Sequence, residues 1–311
     1  MYCLGIDTSN YTTSAAVMDM VDETIIHQKK LLPVPKGSKG LRQSEALFHH
    51  TIQLPEVIEN LLCDFSDEIY AIGVSDKPRD EEGSYMPCFL AGMSVARCSA
   101  ALLHVPLYTF SHQAGHIAAA LFSADRMDVL SEPFIAFHVS GGTTEALLVT
   151  PDEKNILSTN IIANSLDLKA GQVIDRVGVM LGLDFPAGAQ LDLLSQNCRI
   201  PFKIKPSIKG TDCCLSGIEN QCSDMLQKGS TTEEIAAYCI DSILFALDGM
   251  VQAVLAEYGK LPLVFAGGVM SNSRIRNYMA QKYHAFFAQP EFSSDNAAGI
   301  AVLTSLMEAK Q

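Results

Sequence analysis

The sequence predicts an α/β protein of two related lobes that share a cleft, and three observations carry the prediction. Apolar strand-like runs alternate with amphipathic helical ones along most of the 311 residues. The layout of apolar strand, small-residue turn and apolar strand occurs over residues 4–18 and again over 134–149. A third apolar run, residues 263–266, passes through Gly267-Gly268 into the start of a helix. Each of these turns can lend backbone amides to a phosphate.

Residues 4–18 read as two strands joined by a polar turn. There Asp7 ends a buried strand, where a carboxylate can hold a hydrated Mg²⁺, and the Ser9 hydroxyl can approach a phosphate. A plain hairpin turn uses the same residue types. Residues 45–63 read as an amphipathic helix on Leu47, Leu54, Val57, Ile58, Leu61 and Leu62, with Pro55 bending it. Residues 69–74 then read as a buried strand, 75–84 as a polar mobile loop, 89–104 as a helix and 105–108 as a short strand.

The Ala-rich run after Ser111 reads as a helix, and a four-residue step puts His112 and His116 on one face of it. Two neutral imidazoles so presented can grip one divalent metal, with a third ligand from elsewhere; a surface or core histidine pair has the same spacing. Gln113 stands where zinc proteases of this spacing carry their general-base Glu, so peptide hydrolysis ranks last.

Residues 134–139 read as a strand, Ser140-Gly141-Gly142-Thr143-Thr144 as a turn, and 145–149 as the returning strand. Residues 170–183 read as a helix with Asp175 one turn in, followed by Phe185-Pro186-Ala187-Gly188 and a helix carrying Asp192. Those two carboxylates can bind ribose hydroxyls or sit solvated. Residues 214–219 open a segment that the pattern places only loosely, and 232–258 form a long apolar core helix. Asp295 precedes a small-residue helix, where an N-cap is the plain role.

Composition narrows the functional classes. Hydrophobic residues make up 48% and charged residues 18%, the balance of an ordinary soluble chain. The N-terminus lacks the basic start of a signal peptide, and no apolar run is expected to span a membrane, so the expected location is cytoplasmic. Nine scattered cysteines with no CxxC pair do not make a disulfide framework. A net charge of −13 argues against autonomous nucleic-acid binding. The local exception is the segment 29–42, which holds Lys29, Lys30, Lys36, Lys39 and Arg42 and no acidic residue in a Pro- and Gly-punctuated loop. It reads as a solvated loop or as a contact for RNA or another anion.

Taken in order, His112-Gln113-Ala114-Gly115-His116, residues 170–192, Ala266-Gly267-Gly268-Val269 with Asn272, and Ser294-Asp295-Asn296 resemble the TsaD family. That family is the tRNA threonylcarbamoyladenosine synthase component once described as a glycoprotein endopeptidase. His49 before Pro55 and Leu215-Ser216-Gly217 also fit, and the similarity covers nearly the whole chain. The resemblance implies the actin/hexokinase/sugar-kinase (ASKHA) fold, two RNase-H-like lobes with nucleotide and metal between them. The lobes would comprise residues 1–130 plus the C-terminal helix 296–311, and residues 131–295.

The resemblance further implies one divalent ion, Fe²⁺ or Zn²⁺, on His112, His116 and Asp295, since a His₂-carboxylate set with open positions suits both. It implies binding of ATP or threonylcarbamoyl-AMP by His138, Val139, Ser140, Gly141, Gly142, Asp175, Gly188, Asp192 and Asn272. The Gly267-Gly268 turn and the Asp7–Ser9 turn, with Mg²⁺, complete that set. The implied reaction moves the threonylcarbamoyl group from threonylcarbamoyl-AMP to the N6 amine of an adenosine in tRNA. The metal acts as a Lewis acid, glycine amides stabilise charge as AMP leaves, and the amine attacks directly, since no protein nucleophile is on offer. The implied partners are tRNA and the other proteins of a threonylcarbamoyladenosine-synthesis complex.

Three departures from the family pattern stand out. Thr143 replaces the His of the SGGHT turn, the charged segment 76–84 replaces a glycine-proline-glycine loop, and Pro186-Ala187-Gly188 replaces PGG. The first two define the alternative, an ATP-binding paralogue with a regulatory or scaffold role or another acceptor.

Overall fold

The computed structural model describes residues 1–9, 11–33, 41–63, 65, 68–293 and 297–310. The chain divides into two compact units. Met1–Ser131, Thr150–Thr159 and Ser294–Gln311 form the first, and Glu132–Val149 with Asn160–Ser293 form the second.

The first unit is built on β1 (Tyr2–Asp7), β2 (Thr12–Asp19), β3 (Ile25–Leu31), β4 (Ile69–Lys77) and β5 (Leu107–Ser111), in the sheet order β3-β2-β1-β4-β5. β2 pairs antiparallel with β1 and β3, while β1, β4 and β5 run parallel. Period-two alternation sorts the side chains. Leu4, Ile6, Ala15, Val17, Ile72 and Val74 pack against α1 (Gln43–Leu62) and α2 (Phe89–Leu103). The opposite face carries Gly5 and Gly73, where a Cβ would run into Ala301 and Thr304 of α9 (Ala298–Ala309). Glycine there lets that helix lie directly on the sheet. α3 (His112–Ser123) starts where β5 stops, because the Ser111 hydroxyl accepts the Ala114 amide at 3.1 Å and caps it.

The second unit repeats this plan. β6 (Phe134–Val139), β7 (Thr144–Asp152), β8 (Ile156–Asn164), β11 (Leu263–Ala266) and β12 (Phe286–Phe287) lie in the order β12-β11-β6-β7-β8, except that the end of β7 and the start of β8, within Thr150–Thr159, group with the first unit; the small β9 (Ser207–Lys209) and β10 (Asp212–Cys214) form a separate hairpin. β6 is antiparallel to β7 and parallel to β11, as β1 is to β2 and β4. Ile135, Phe137, Val139 and Phe265 pack with α4 (Ala170–Met180), α6 (Ser216–Gln227) and α7 (Thr232–Tyr258) in one core. α7 opens on a capping box, in which Thr231 Oγ1 accepts the Glu234 amide and Glu234 accepts the Thr231 amide. α5 (Gly188–Gln196) and α8 (Ser273–Tyr283) complete the unit.

Several expectations need correction. The basic segment is not loop throughout: Lys29 and Lys30 lie in β3, an edge strand, and Lys30 meets Glu56 at 2.7 Å. Val34, Pro35, Lys36, Gly37, Ser38, Lys39 and Gly40 fall outside the described residues. The segment after residue 74 is neither all loop nor loose. β4 continues to Lys77, the Ser111 hydroxyl donates to Asp80 at 2.8 Å, and the Gln113 amide donates to Pro78 O at 3.1 Å. The strand expected at 105–108 starts later, at Leu107, because Pro106 has no N–H to give a ladder. The helix expected over 170–183 stops at Met180, ahead of Gly182 at φ 82°. One apolar run does reach spanning length: α7 meets the size and composition of a membrane span, but 67% of its most apolar stretch is buried inside the protein. All nine cysteines are free thiols.

The loosely placed segment at 214–219 turns out to be the start of α6, held by Asp167. Its carboxylate accepts the Leu215 amide at 2.7 Å, the Ser216 amide at 3.2 Å and the Ser216 hydroxyl at 2.6 Å. Burial pushes this carboxyl up, yet the Ser216 hydroxyl and the two amides outweigh it and hold it below its ordinary range. Asp167→Ala removes this cap from the first turn of α6 and, at an exposed position, should cost about 0.5–1 kcal/mol at neutral pH. A lowered native pKa gives stability that is present above the unfolded-state value and lost as pH falls through the native one. Urea unfolding of the two chains should differ at neutral pH and converge in acid.

Candidate metal and nucleotide site

In open α/β sheets, ligands gather at the carboxyl ends of the parallel strands. In the first unit that edge holds Asp7 at the end of β1 and Ser111 at the end of β5, from which α3 departs. Asp7 Oδ1 accepts the Ser9 amide at 2.8 Å, and Asp7 Oδ2 accepts Nδ1 of His112 at 2.6 Å. With its proton on Nδ1, His112 presents the Nε2 lone pair, which lies 2.9 Å from His116 Nε2. The rings meet edge to face, 4.3 Å between centroids, and both residues are buried.

This arrangement fits a metal. A ligating histidine commonly gives its other ring N–H to a carboxylate, which fixes the tautomer. Two nitrogens about 2.05 Å from a shared ion lie about 2.9 Å apart at a right angle and about 3.3 Å apart at the tetrahedral angle. The two Nε2 atoms already converge at that spacing. Among the described residues no group of three His, Cys, Asp or Glu side chains is set to hold an ion. Asp295, the carboxylate that the resemblance adds, falls with Ser294 and Asn296 outside the described residues. Asp7 engages the Ser9 amide and the histidine ring, where the sequence alone had pointed to hydrated Mg²⁺.

The remaining predicted residues sit in the second unit. Ser140 folds the glycine turn on itself, its Oγ accepting the Gly142 and Thr143 amides at 3.2 Å and meeting Thr143 Oγ1 at 2.9 Å. The Gly171 amide donates to Ser140 O at 3.1 Å, which seats the N-terminus of α4 on the turn. Gly267, at φ 96°, lies so close to the Val139 carbonyl that no Cβ fits, and Gly268 follows it. Hence Val139, Ser140–Gly142 and the Gly267-Gly268 turn are neighbours. His138 is paired in register with Glu145 on β7 and Ala266 on β11.

Around α5, Asp175 accepts the Ala187 amide at 2.9 Å, and burial raises its carboxyl above the usual range. Gly188 opens α5 one residue later. Asp192 accepts the Ser273 amide at 3.1 Å and its hydroxyl at 2.9 Å. Asn272 Oδ1 accepts the Arg274 and Ile275 amides and caps α8. Asp192 and Asn272 therefore meet at one helix start through Ser273, a residue the sequence reading had not singled out. Arg274 was missed as well: it clamps Asp241 in a two-pronged pair and binds the Ser195 and Cys198 carbonyls.

The sequence model of the family described as tRNA N6-adenosine threonylcarbamoyltransferase, TsaD, matches residues 19–302. The chain belongs to this family. The Campylobacter hominis protein named tRNA N6-adenosine threonylcarbamoyltransferase is 30% identical, over 96% of this chain and 90% of its own. The Methanopyrus kandleri protein of the same name is 26% identical, over 97% and 86%. Among solved structures, component A of (R)-2-hydroxyglutaryl-CoA dehydratase from Acidaminococcus fermentans aligns with a TM-score of 0.59 at 16% identity, covering 99% of both chains. HypF from T. kodakarensis aligns at 0.62 and 13% identity over 99% of this chain and 47% of its own. The ROK hexokinase of Thermus thermophilus aligns at 0.50 and 15% identity over all of both chains. These likenesses establish the ASKHA fold, and the family is one of transferases.

Proposed function

We propose that this chain transfers the threonylcarbamoyl group from threonylcarbamoyl-AMP to the N6 amine of an adenosine in tRNA. The observation that carries the reading is the Asp7–His112–His116 relay in a member of this family. His112 and His116, with Asp295, would hold one Fe²⁺ or Zn²⁺, which supplies Lewis acidity toward the oxygens of the mixed anhydride. Asp7 orients the His112 ring and, in the neutral imidazole, fixes the proton on Nδ1 so that Nε2 is the ligating nitrogen. In the second unit, the amides of Gly141, Gly142, Gly267 and Gly268 suit the charge that develops as AMP departs. Asp175 and Asp192 suit ribose hydroxyls, and His138, Val139, Gly188 and Asn272 complete the nucleotide contacts. With a net charge of −13, the tRNA is engaged through partner proteins of the same modification pathway.

One observation favours a second reading. Thr143 closes the turn with Ser140 and presents no imidazole, which suits a nucleotide-binding paralogue that does not transfer. Reconstitution separates the two. Purified chain, unmodified tRNA, threonylcarbamoyl-AMP and the partner proteins are expected to yield the modified nucleoside, detected by mass spectrometry after digestion. ATP binding without product under every partner set would establish the paralogue instead. Peptide cleavage lost in His112→Ala would restore the protease reading.

A further inference from the structure

Two hydroxyls at the first unit's strand edge lack partners among the described residues. Ser9 Oγ and Ser75 Oγ are buried, both residues are 0% exposed, and neither atom makes a hydrogen bond. A buried polar group left unpaired is costly, and native proteins keep few of them. Ser9 follows Asp7 by two residues and donates its amide to that carboxylate. Ser75 reaches the same place through the sheet. β1 and β4 are parallel with Ile6 opposite Val74, and the register continued by one residue sets Ser75 beside Asp7, about 4.8 Å away.

The face is settled by the neighbours. Ile6 and Val74 point into the core under α1 and α2, so Asp7 and Ser75 both lie on the opposite face. Gly5 and Gly73, two residues earlier on the same strands, meet α9 on that face. Ser75 therefore flanks the carboxylate that orients His112. An alanine there would fill the same space without an unpaired oxygen. Local chemistry that disfavours folding in this way is expected at functional positions.

Resting on the metal reading above, we propose that Ser75 is a ligand-binding residue of the histidine pocket, its hydroxyl hydrogen-bonding an oxygen ligand held there. That oxygen belongs either to water on the ion or to the acyl-phosphate group of the substrate. Two measurements on Ser75→Ala, made beside the unmutated chain, test it. Without metal, the variant melts at the same temperature or higher, because the unpaired hydroxyl is gone. With ligand, it binds about tenfold more weakly, the scale of one such hydrogen bond. Weaker Co²⁺ binding with shifted d–d absorption identifies the ion's water. Unchanged Co²⁺ binding with weaker threonylcarbamoyl-AMP binding identifies the substrate oxygen. A lower melting temperature of the metal-free variant, or both affinities within twofold of the unmutated chain, overturns the proposal. Failure of the unmutated chain to take up Co²⁺ removes the metal reading itself, a distinct result.

Discussion

A His116→Ala chain should purify without divalent metal, where the unmutated chain carries about one equivalent by elemental mass spectrometry. Tetrahedral and facial sites that keep an open position use three protein ligands, so deleting one of two convergent imidazoles leaves a pair too weak to hold the ion against buffer. If the ion supplies several kcal/mol of transition-state stabilisation, transfer should fall about 10³-fold or more. Asp7→Asn provides a graded companion. Both rings remain, but the carboxylate that fixes Nδ1–H becomes an amide that can also donate, and the wrong tautomer becomes available. Loss of such a supporting carboxylate typically weakens metal binding by about 10–100-fold. Full metal content in His116→Ala would remove His116 from the ligand set. Equal affinity in Asp7→Asn would leave Asp7 a structural contact alone.

The pieces of this site differ in how far the sequence exposes them. The step from His112 to His116 is local, since one helical turn brings the rings together wherever the helix lies. The strand at residues 134–139 and the helix over 232–258 are legible for a similar reason: each is a continuous apolar run bounded by turn residues. The Asp7–His112 bond joins residues 105 positions apart and depends on β1 and β5 ending at the same edge. Ser75 depends on the register of two parallel strands, which no local pattern encodes. β3 was missed because most of it is exposed at a sheet edge, so burial imposes no alternation on Gln28, Lys29 and Lys30. β8 was missed because Ser158, Thr159 and Asn160 interrupt its apolar residues. Asp192 looked like a solvated or ribose-binding carboxylate, and its bonds to Ser273 appear only once α5 and α8 are side by side.

Gly299→Ala should be among the most damaging substitutions of a single methyl group in this chain. A Cβ on Gly299 would land on the Gly115 carbonyl and within 2.9 Å of the Ala119 amide, both backbone atoms of α3. Flexible side chains can swing away from such a contact, but helix backbone cannot, so α9 and α3 must separate. Overpacking of this kind costs about 3 kcal/mol or more, which for a chain of this size lowers the melting temperature by roughly 5 °C. Gly115 lies between His112 and His116, so the separation acts on the helix that carries the imidazoles. Metal affinity should fall together with stability, although position 299 bears no donor atom. Gly217→Ala, in the first turn of α6 with nothing within 4 Å of its added Cβ, is the control, and it should be neutral or stabilising by about 0.5–1 kcal/mol. If both alanine variants melt alike and bind metal alike, the glycine contact between α3 and α9 does not set the position of the histidine pair.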